Sequence, residues 1–374
     1  MSERTEVATR MAEAADLWLA ELDDDQRSLA RWDFPADDER RLWFYTPTDH
    51  GGLPLGAMRP AQQQAAMRLL RSGLSRAAYV TASTVMGLEN VLDEVERFRQ
   101  RFGRERGRDP GMYYVRVFGE PGAGTTWGWR FGGHHVSVNH TIVDGELAAS
   151  TPCFLGADPA SSPLLGPHLL RPLAGAEDLG RELVTSLDDG QLDRALLAPV
   201  APVDLVTANR SHVSAGDRPL PLQVIFRGRL DADTYDRMAA GQAAMEAAVG
   251  LTPAHLDALA LSAEPKGLRA ADLGPAQRDL LRALLDVYVR RVPDELADAE
   301  SARYAPEGAL DELAFAWAGG LRPGEPHYYR VQGRGLLAEY DNTQRGVNHV
   351  HTVWRQLDAD FGGDVLAAHY AHAH

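Results

Sequence analysis

A set of short motifs occurs twice along this chain in the same order, and this recurrence constrains the fold more than any other feature. Each set consists of a Leu-Asp-Asp motif, an apolar extended stretch, a Gly-Leu pair, a Pro-Ala-Gln helix start and a strand led by two tyrosines. The first set lies at residues 22–26, 42–45, 52–53, 60–62 and 113–117. The second set lies at residues 187–191, 203–206, 267–268, 275–277 and 328–331. Five matches in one order predict an internal duplication with a pseudo-twofold arrangement.

Hydrophobic periodicity places strands after grouped helices in both halves of the chain. Strands are predicted at residues 113–118, 127–143, 223–230, 328–341 and 347–355. They occur in adjacent pairs joined by Gly-containing turns, which is typical of antiparallel sheet and differs from alternating βαβ units. We therefore predict an α+β fold that combines antiparallel sheet with grouped helices. The predicted division is an N-terminal half at 1–165 and a C-terminal half at 166–374, either as two domains or as one intertwined globular unit.

Composition and charge narrow the possible partners. The 374 residues carry a formal net charge of −15, which disfavours nucleic acid or an anionic membrane surface, because both select basic patches. Cys153 is the only cysteine, so the chain cannot form an internal disulfide. The sequence shows neither an export signal nor an apolar stretch long enough to cross a bilayer. We therefore expect a cytoplasmic protein whose partner is a small-molecule substrate, with its oligomeric state left open.

The strongest chemical signal comes from two neighbouring segments late in the sequence. Glu339 and Asp341 alternate along one predicted strand, and His349 and His351 alternate along the next. Side chains two residues apart share a face of a strand, and a turn at Arg345-Gly346 would fold the two strands into a hairpin. This hairpin would bring imidazoles and carboxylates together, and a divalent metal of borderline softness prefers these ligands.

A second segment, residues 127–139, combines aromatic, glycine and histidine residues. From His134 onward its residues alternate between an apolar face and an almost purely polar face, which contains His135, Ser137 and Asn139. Such a polar face either meets water or lines a pocket. The set His-Ser-Asn is more typical of a pocket than the Lys-Glu-Thr of a solvated strand, so this segment is a second candidate for the site.

Together the two segments predict a metal site. The predicted ligands are His135, Glu339, His349 and His351. Zinc is the favoured metal, and iron or copper suits the same donors. The predicted catalytic residues are Asp341, His134, Asn139 and Arg355. Asp341 acts either as a general base or, like Asn139, as a group that orients a ligating imidazole. Arg355 is a candidate for holding an anionic substrate.

Long motifs in this chain are similar to those of one known family. They are Trp-Gly-Trp-Arg-Phe-Gly-Gly-His-His-Val-Ser-Val-Asn at 127–139, Thr-Pro-Cys-Phe-Leu-Gly-Ala-Asp-Pro-Ala at 151–160, and Glu-Tyr-Asp-Asn-Thr-Gln followed by Asn-His-Val-His-Thr-Val-Trp-Arg within 339–355. With the closing Asp-Phe-Gly-Gly-Asp-Val-Leu at 360–366, the chain resembles domain-of-unknown-function family 3500 over nearly its whole length. The resemblance implies no particular activity.

Three classes of function remain open at this point. The first is a metal-dependent enzyme, in which either a metal-activated water hydrolyses a small substrate or iron or copper supports oxidoreductase chemistry. The second is a metal-free enzyme that uses a histidine as acid and base, tuned by the neighbouring carboxylates. The third is a non-catalytic protein that binds a ligand in the same pocket. The sequence favours metal-dependent hydrolysis of a small substrate, with anionic compounds among the candidates.

Overall fold

A computed structural model of the chain describes residues 2–163, 167–228 and 230–363, which form two compact units. Unit 1 comprises the described residues of Met1–Phe154, Arg290–Asp298 and Asp358–His374. Unit 2 comprises those of Leu155–Val289 and Ala299–Leu357. The predicted halves met at a single boundary, 165/166, whereas the chain in the structure returns to unit 1 after it has entered unit 2.

Unit 1 combines helices with a mainly antiparallel sheet. Its helices are α1 (Glu3–Ala20), α2 (Asp24–Ala30), α3 (Asp37–Arg40), α4 (Pro60–Ser72) and α5 (Arg76–Val95). Its strands are β1 (Arg31–Trp32), β2 (Leu53–Pro54), β3 (Tyr114–Phe118), β4 (Trp127–Gly133), β5 (Val136–Val143) and β6 (Glu146–Ala149). β3, β4 and β5 form an antiparallel meander, with β1 parallel to β3, β2 antiparallel to β3 and β6 antiparallel to β5.

Aromatic side chains of β4 form the core face of the unit 1 sheet. Trp127, Trp129 and Phe131 alternate along the strand and are at most 1% exposed. The end of α4 packs closely on this face, because a Cβ added at Gly73 would lie 2.5 Å from His140 and 2.6 Å from Trp129. The alternation that buries these rings directs the intervening residues of the same strands to the opposite face.

The opposite face of the unit 1 sheet is polar and nevertheless buried. Arg116 and Arg130 are direct neighbours across β3 and β4, and each donates to Oε1 of Glu39 at 2.8 Å. Arg130 also donates to the backbone carbonyl of His50 at 2.9 Å. The segment that contains α3 therefore covers this face, which contacts protein and not bulk water.

Unit 2 has a corresponding set of elements. Its helices are α6 (Ala174–Thr185), α7 (Asp189–Ala195), α8 (Ala232–Val249), α9 (Pro253–Leu259), α10 (Pro275–Val289), part of α11 (Asp294–Ala302) and α12 (Glu307–Asp311). Its strands are part of β7 (Cys153–Ala157), β8 (Ser162–Pro163), β9 (Leu169–Leu170), β10 (Leu196–Ala198), β11 (Leu268–Arg269), β12 (Ala314–Gly319), β13 (His327–Gln332), β14 (Leu337–Gln344) and β15 (His349–Arg355). β12 to β15 form an antiparallel meander, with β10 parallel and β11 antiparallel to β12.

The two units contain the same local capping arrangement. In unit 1, Asp23 caps α2 and Gln26 completes a capping box, and in unit 2, Asp188 and Gln191 do the same for α7. Each glutamine side chain also donates to the last backbone carbonyl of a 3-10 turn. The acceptor is Ala57 of the turn Leu55–Ala57 in unit 1, at 2.8 Å, and Asp272 of the turn Ala270–Asp272 in unit 2, at 2.9 Å. These matches support the predicted duplication, but the duplication and its pseudo-twofold arrangement stay predictions.

The structure confirms the predicted α+β class and its mostly antiparallel sheet. The strand predicted at 223–230 is wrong for its described residues, 223–228 and 230. Pro221, whose ring holds φ at −59°, leads into a 3-10 turn at Leu222–Val224. The single strand predicted over 127–143 is divided, because His134 and His135 form the turn between β4 and β5. Among the described residues, no helix is both long enough and apolar enough to cross a membrane.

Candidate metal centre

The hairpin of β14 and β15 in unit 2 brings acidic and histidine side chains to one position. Arg345, Gly346 and Val347 in its turn have left-handed φ values of 51°, 65° and 63°, which reverse the chain. Asp341 pairs directly with His351 across the two strands, so the two side chains leave the sheet on the same face. The hairpin predicted from the sequence is therefore confirmed.

Asp204, from the loop after β10, completes a three-residue cluster with this pair. Its Oδ1 lies 2.8 Å from Nδ1 of His351 and accepts a hydrogen bond from the N–H of Leu205 at 2.7 Å. Oδ2 of Asp341 lies 3.9 Å from the same imidazole nitrogen. One potential ligand atom from each of Asp204, Asp341 and His351 lies within 4.8 Å of the others, and all three residues are buried.

Asp341 has the least compensated environment in the cluster. Its side chain is 0% exposed, and within the described part of the chain neither carboxylate oxygen accepts a hydrogen bond of normal geometry. Burial raises the pKa of this carboxyl well above its usual range, the charge of Asp204 raises it further, and the hydroxyl of Thr343 counteracts part of the effect. A carboxylate in such a place requires either a proton or a cation.

A β-bulge at Thr343 positions the loop that carries Asp204. The pairing register of the hairpin shifts just before Gln344, which leaves Thr343 as an extra residue on β14. Oγ1 of Thr343 and Nε2 of Gln344 both donate to the backbone carbonyl of Val203, at 3.2 and 3.0 Å. Two hydrogen bonds to the residue before Asp204 thus hold that carboxylate in the cluster.

Glu339 lies on the same strand as Asp341, but its carboxylate is occupied by protein donors. The side chain is 0% exposed, and its Oε1 accepts hydrogen bonds from the N–H of Val206 at 2.9 Å and the hydroxyl of Tyr328 at 2.8 Å. The N–H and the hydroxyl of Thr207 donate to its Oε2. Glu339 is therefore less available to a metal than Asp341 is, and its role as a ligand stays a prediction.

His349 lies beside the cluster on β15. Its ring meets that of His351 nearly edge to face, with the centroids 4.6 Å apart and the planes at 81°. Its Nδ1 lies 3.8 Å from Oδ2 of Asp158, which is paired with Nε of Arg345 at 2.7 Å. Of the predicted site residues, the structure thus brings together Asp341, His349 and His351 within unit 2.

Within unit 1, His134 and His135 form a cluster with Glu89. They occupy the turn between β4 and β5, where His135 has a left-handed φ of 62°, and their ring centroids are 3.8 Å apart. Nδ1 of His134 is hydrogen-bonded to Oε1 of Glu89, and the Arg108 guanidinium lies 3.3 and 3.4 Å from the two ring nitrogens. One potential ligand atom from each of Glu89, His134 and His135 lies within 4.8 Å of the others. The predicted joining of His135 to the unit 2 residues stays a prediction.

The other two predicted catalytic residues, Asn139 and Arg355, are buried and bonded to the backbone. Nδ2 of Asn139 donates to the carbonyl of Pro152 at 3.0 Å in unit 1. Nη2 of Arg355 donates to the carbonyl of Arg210 at 2.8 Å in unit 2. Each contact holds a loop to a strand, and the catalytic roles of both residues stay predictions.

Sequence reasoning did not identify Asp204 or Glu89 as site residues. Asp204 stands alone among apolar residues at 203–206, and Glu89 lies on the buried face of α5 together with Val85 and Leu92. The available signal was a single carboxylate within an apolar pattern. Such a group is rarely buried without a partner, so its position points to a charged or protonated neighbour.

Comparisons with known proteins give a family and no activity. No curated protein and no solved structure matches the chain. The family model described as Protein of unknown function (DUF3500) matches residues 4–363, which include both clusters. The chain therefore belongs to the DUF3500 family, as its motifs predicted.

Proposed function

We propose that this protein is a metal-dependent hydrolase whose divalent cation is held by Asp204, Asp341 and His351. The observation that carries the proposal is the environment of Asp341, which is fully buried beside a second carboxylate and has no hydrogen-bond donor of normal geometry among the described residues. A divalent cation would neutralise both carboxylates at once. A shared proton would neutralise only one.

The donor set favours zinc, with iron as the next choice. Zinc accepts both imidazole nitrogen and carboxylate oxygen, and catalytic zinc sites use three protein ligands and leave a position for water. Copper suits imidazole better than carboxylate, and this cluster offers one imidazole and two carboxylates. Bound zinc lowers the pKa of its water towards neutrality and polarises a carbonyl oxygen, which is the chemistry of hydrolysis.

Contacts around the proposed ligands hold them in place. Oδ1 of Asp204 and Nδ1 of His351 lie 2.8 Å apart, close enough for both atoms to contact one cation. The bulge at Thr343 anchors Val203 and with it the Asp204 loop. His349 packs edge to face on the His351 ring and restricts its rotation.

Metal content measured together with hydrolysis tests the proposal. The wild-type chain, without a histidine tag, is analysed for zinc, iron and copper and assayed with p-nitrophenyl acetate before and after chelation. We expect near-stoichiometric metal, hydrolysis that chelation abolishes, and loss of both in Asp341→Asn. The matched control is Asp93→Asn, which also removes a buried carboxylate, but one paired with Arg106 at 3.1 Å. Protein that is metal-free, or hydrolysis that chelation leaves unchanged, would refute the proposal.

A second candidate function rests on the same short contact. The Asp204–His351 pair has the geometry of a carboxylate that orients an imidazole base, which needs no metal. In that case chelation has no effect, and His351→Gln abolishes activity while Asp341→Asn reduces it only partly.

A further inference from the structure

Unit 2 also contains a cavity of about 460 Å³. It is lined by a run of residues from 199 to 203, by the end of α8, by both ends of the β12–β13 turn and by Thr343 and Gln344. Its volume falls within the range of small-molecule sites, roughly 300–1,000 Å³. Volume alone does not identify a ligand, and the nature of the lining is more informative.

The lining is almost entirely apolar and carries no described cation. Prolines, alanines, valines and glycines predominate, and the only charged side chain among the described lining residues is Glu325. Oε2 of Glu325 accepts the N–H of Arg322 at 2.9 Å. An anionic substrate would therefore meet no positive charge in this cavity, whereas an uncharged apolar group would lose little on leaving water.

One helix presents an incompletely covered apolar stripe to the cavity. Met245, Ala248 and Val249 are spaced i, i+3 and i+4 on α8, which places them on one face of the helix. Met245 remains 41% exposed and Val249 46% exposed, and α8 has no buried residue. Apolar side chains directed at a cavity yet still half in water are the surface that an apolar ligand would cover.

Two residues that line the cavity are close in sequence to the proposed metal ligands. Val203 lines it and directly precedes Asp204, and Thr343 lines it two residues beyond Asp341 on β14. The hydrogen bond of 3.2 Å from Thr343 to the Val203 carbonyl joins these two parts of the wall. The strand thus leads from a partly exposed cavity wall at Thr343 to the fully buried Asp341.

We infer that this cavity binds the apolar part of a small, uncharged substrate, such as an ester or amide with an aliphatic or aromatic group. Binding to the cavity stands on the lining alone, and its identification as the substrate pocket rests on the proposed function. The sequence placed anionic compounds among the candidate substrates, and the cavity favours uncharged ones.

The test uses a neutral fluorescent probe, N-phenyl-1-naphthylamine, titrated against the full chain. The probing variant is Ala248→Asp, which places a charge on the lining face of α8. The matched control is Ala247→Asp, because Ala247 is an exposed alanine on the opposite side of the same helix and does not line the cavity. We expect saturable binding that Ala248→Asp weakens by about 10-fold or more, equivalent to about 1.4 kcal/mol, and that Ala247→Asp changes less than twofold.

Three outcomes would overturn the inference: no saturable binding, equal effects of the two variants, or tighter binding of the anionic probe 8-anilinonaphthalene-1-sulfonate. Binding that persists in Asp341→Asn, or in protein found to be metal-free, supports the pocket even where the proposed function fails. Competitive inhibition of metal-dependent hydrolysis by the neutral probe supports the substrate role, and hydrolysis unchanged at saturating probe refutes that role.

Discussion

Replacing Asp341 by asparagine should have opposite effects on stability in the metal-free and metal-loaded protein. Asn keeps the shape of the side chain but removes the charge, and Asp341 is fully buried without a hydrogen-bond donor of normal geometry among the described residues. Because its pKa in the folded protein is raised by burial and by Asp204, the metal-free wild type loses stability as pH rises from the usual carboxyl range through that raised value. The asparagine variant has no such loss.

The size of each effect follows from general magnitudes. An unsatisfied buried neutral acceptor, such as the amide oxygen of asparagine, costs about 1–3 kcal/mol, and a buried charge costs more. Metal-free Asp341→Asn should therefore be more stable than metal-free wild type, by about 2 kcal/mol at pH 7.5. A cation at about 1,000 times its dissociation constant adds about 4 kcal/mol to a protein that binds it only when folded. The variant should therefore lie between the two wild-type states, about 2 kcal/mol from each, and should not respond to metal.

The assay is urea unfolding of wild type and variant at pH 7.5, each with a chelator and with added zinc. We expect zinc-loaded wild type to be the most stable, the variant intermediate and metal-free wild type the least stable. A variant less stable than the metal-free wild type would contradict this expectation, because the carboxylate of Asp341 must then be compensated by the protein itself. Equal stabilisation of the variant and the wild type by zinc would contradict it as well.

Three further predictions concern other residues, namely His140, Gly267 and Glu339. Burial lowers the pKa of His140 from 6.5 to about 3, so between these pH values only the unfolded chain takes up a proton at this residue. The free energy of unfolding should therefore fall by about 2 kcal/mol from pH 7.5 to pH 5. His140→Gln should remove this part of the pH dependence measured by urea unfolding. Gly267→Ala should destabilise the fold by about 1–3 kcal/mol in thermal melts, because φ is 109° and the new Cβ would lie 2.3 Å from a backbone oxygen. Gly241→Ala is the control: its new Cβ on α8 meets open space, and it should stabilise the fold slightly. Glu339→Gln should lower the free energy of unfolding by about 1–3 kcal/mol, because the carboxylate accepts hydrogen bonds from protein donors. The metal content should not change. Loss of metal in this variant would instead indicate that Glu339 is a ligand.

The hairpin that carries the candidate site could be predicted from the sequence because its determinants are local. The alternation of Glu339 with Asp341 and of His349 with His351 follows from strand geometry, and Gly346 marks the turn. Helices that begin at Pro60 and Pro275 follow from the fixed φ of proline in the first turn. Each of these features depends on residues close together in the chain.

The remaining parts of the site depend on contacts between residues distant in sequence. Asp204 reaches His351 from a loop 147 positions away, and no periodicity near Asp204 predicts that contact. Period-two spacing placed Glu339 and Asp341 on one strand face, and the sequence prediction chose Glu339 as the ligand. In the structure, donors at Val206 and Thr207 occupy the Glu339 carboxylate. Side-chain chemistry therefore predicts a metal site, and tertiary packing determines which side chains lie together.

The proposal that Asp204, Asp341 and His351 hold a divalent cation can be tested directly in crystals. X-ray diffraction from zinc-soaked crystals, recorded above and below the zinc absorption edge, locates the metal without reference to activity. We expect one strong anomalous difference peak about 2.0–2.2 Å from an oxygen of each carboxylate and a nitrogen of His351. A peak at Glu89, His134 and His135 instead, or no peak at either cluster, would contradict it.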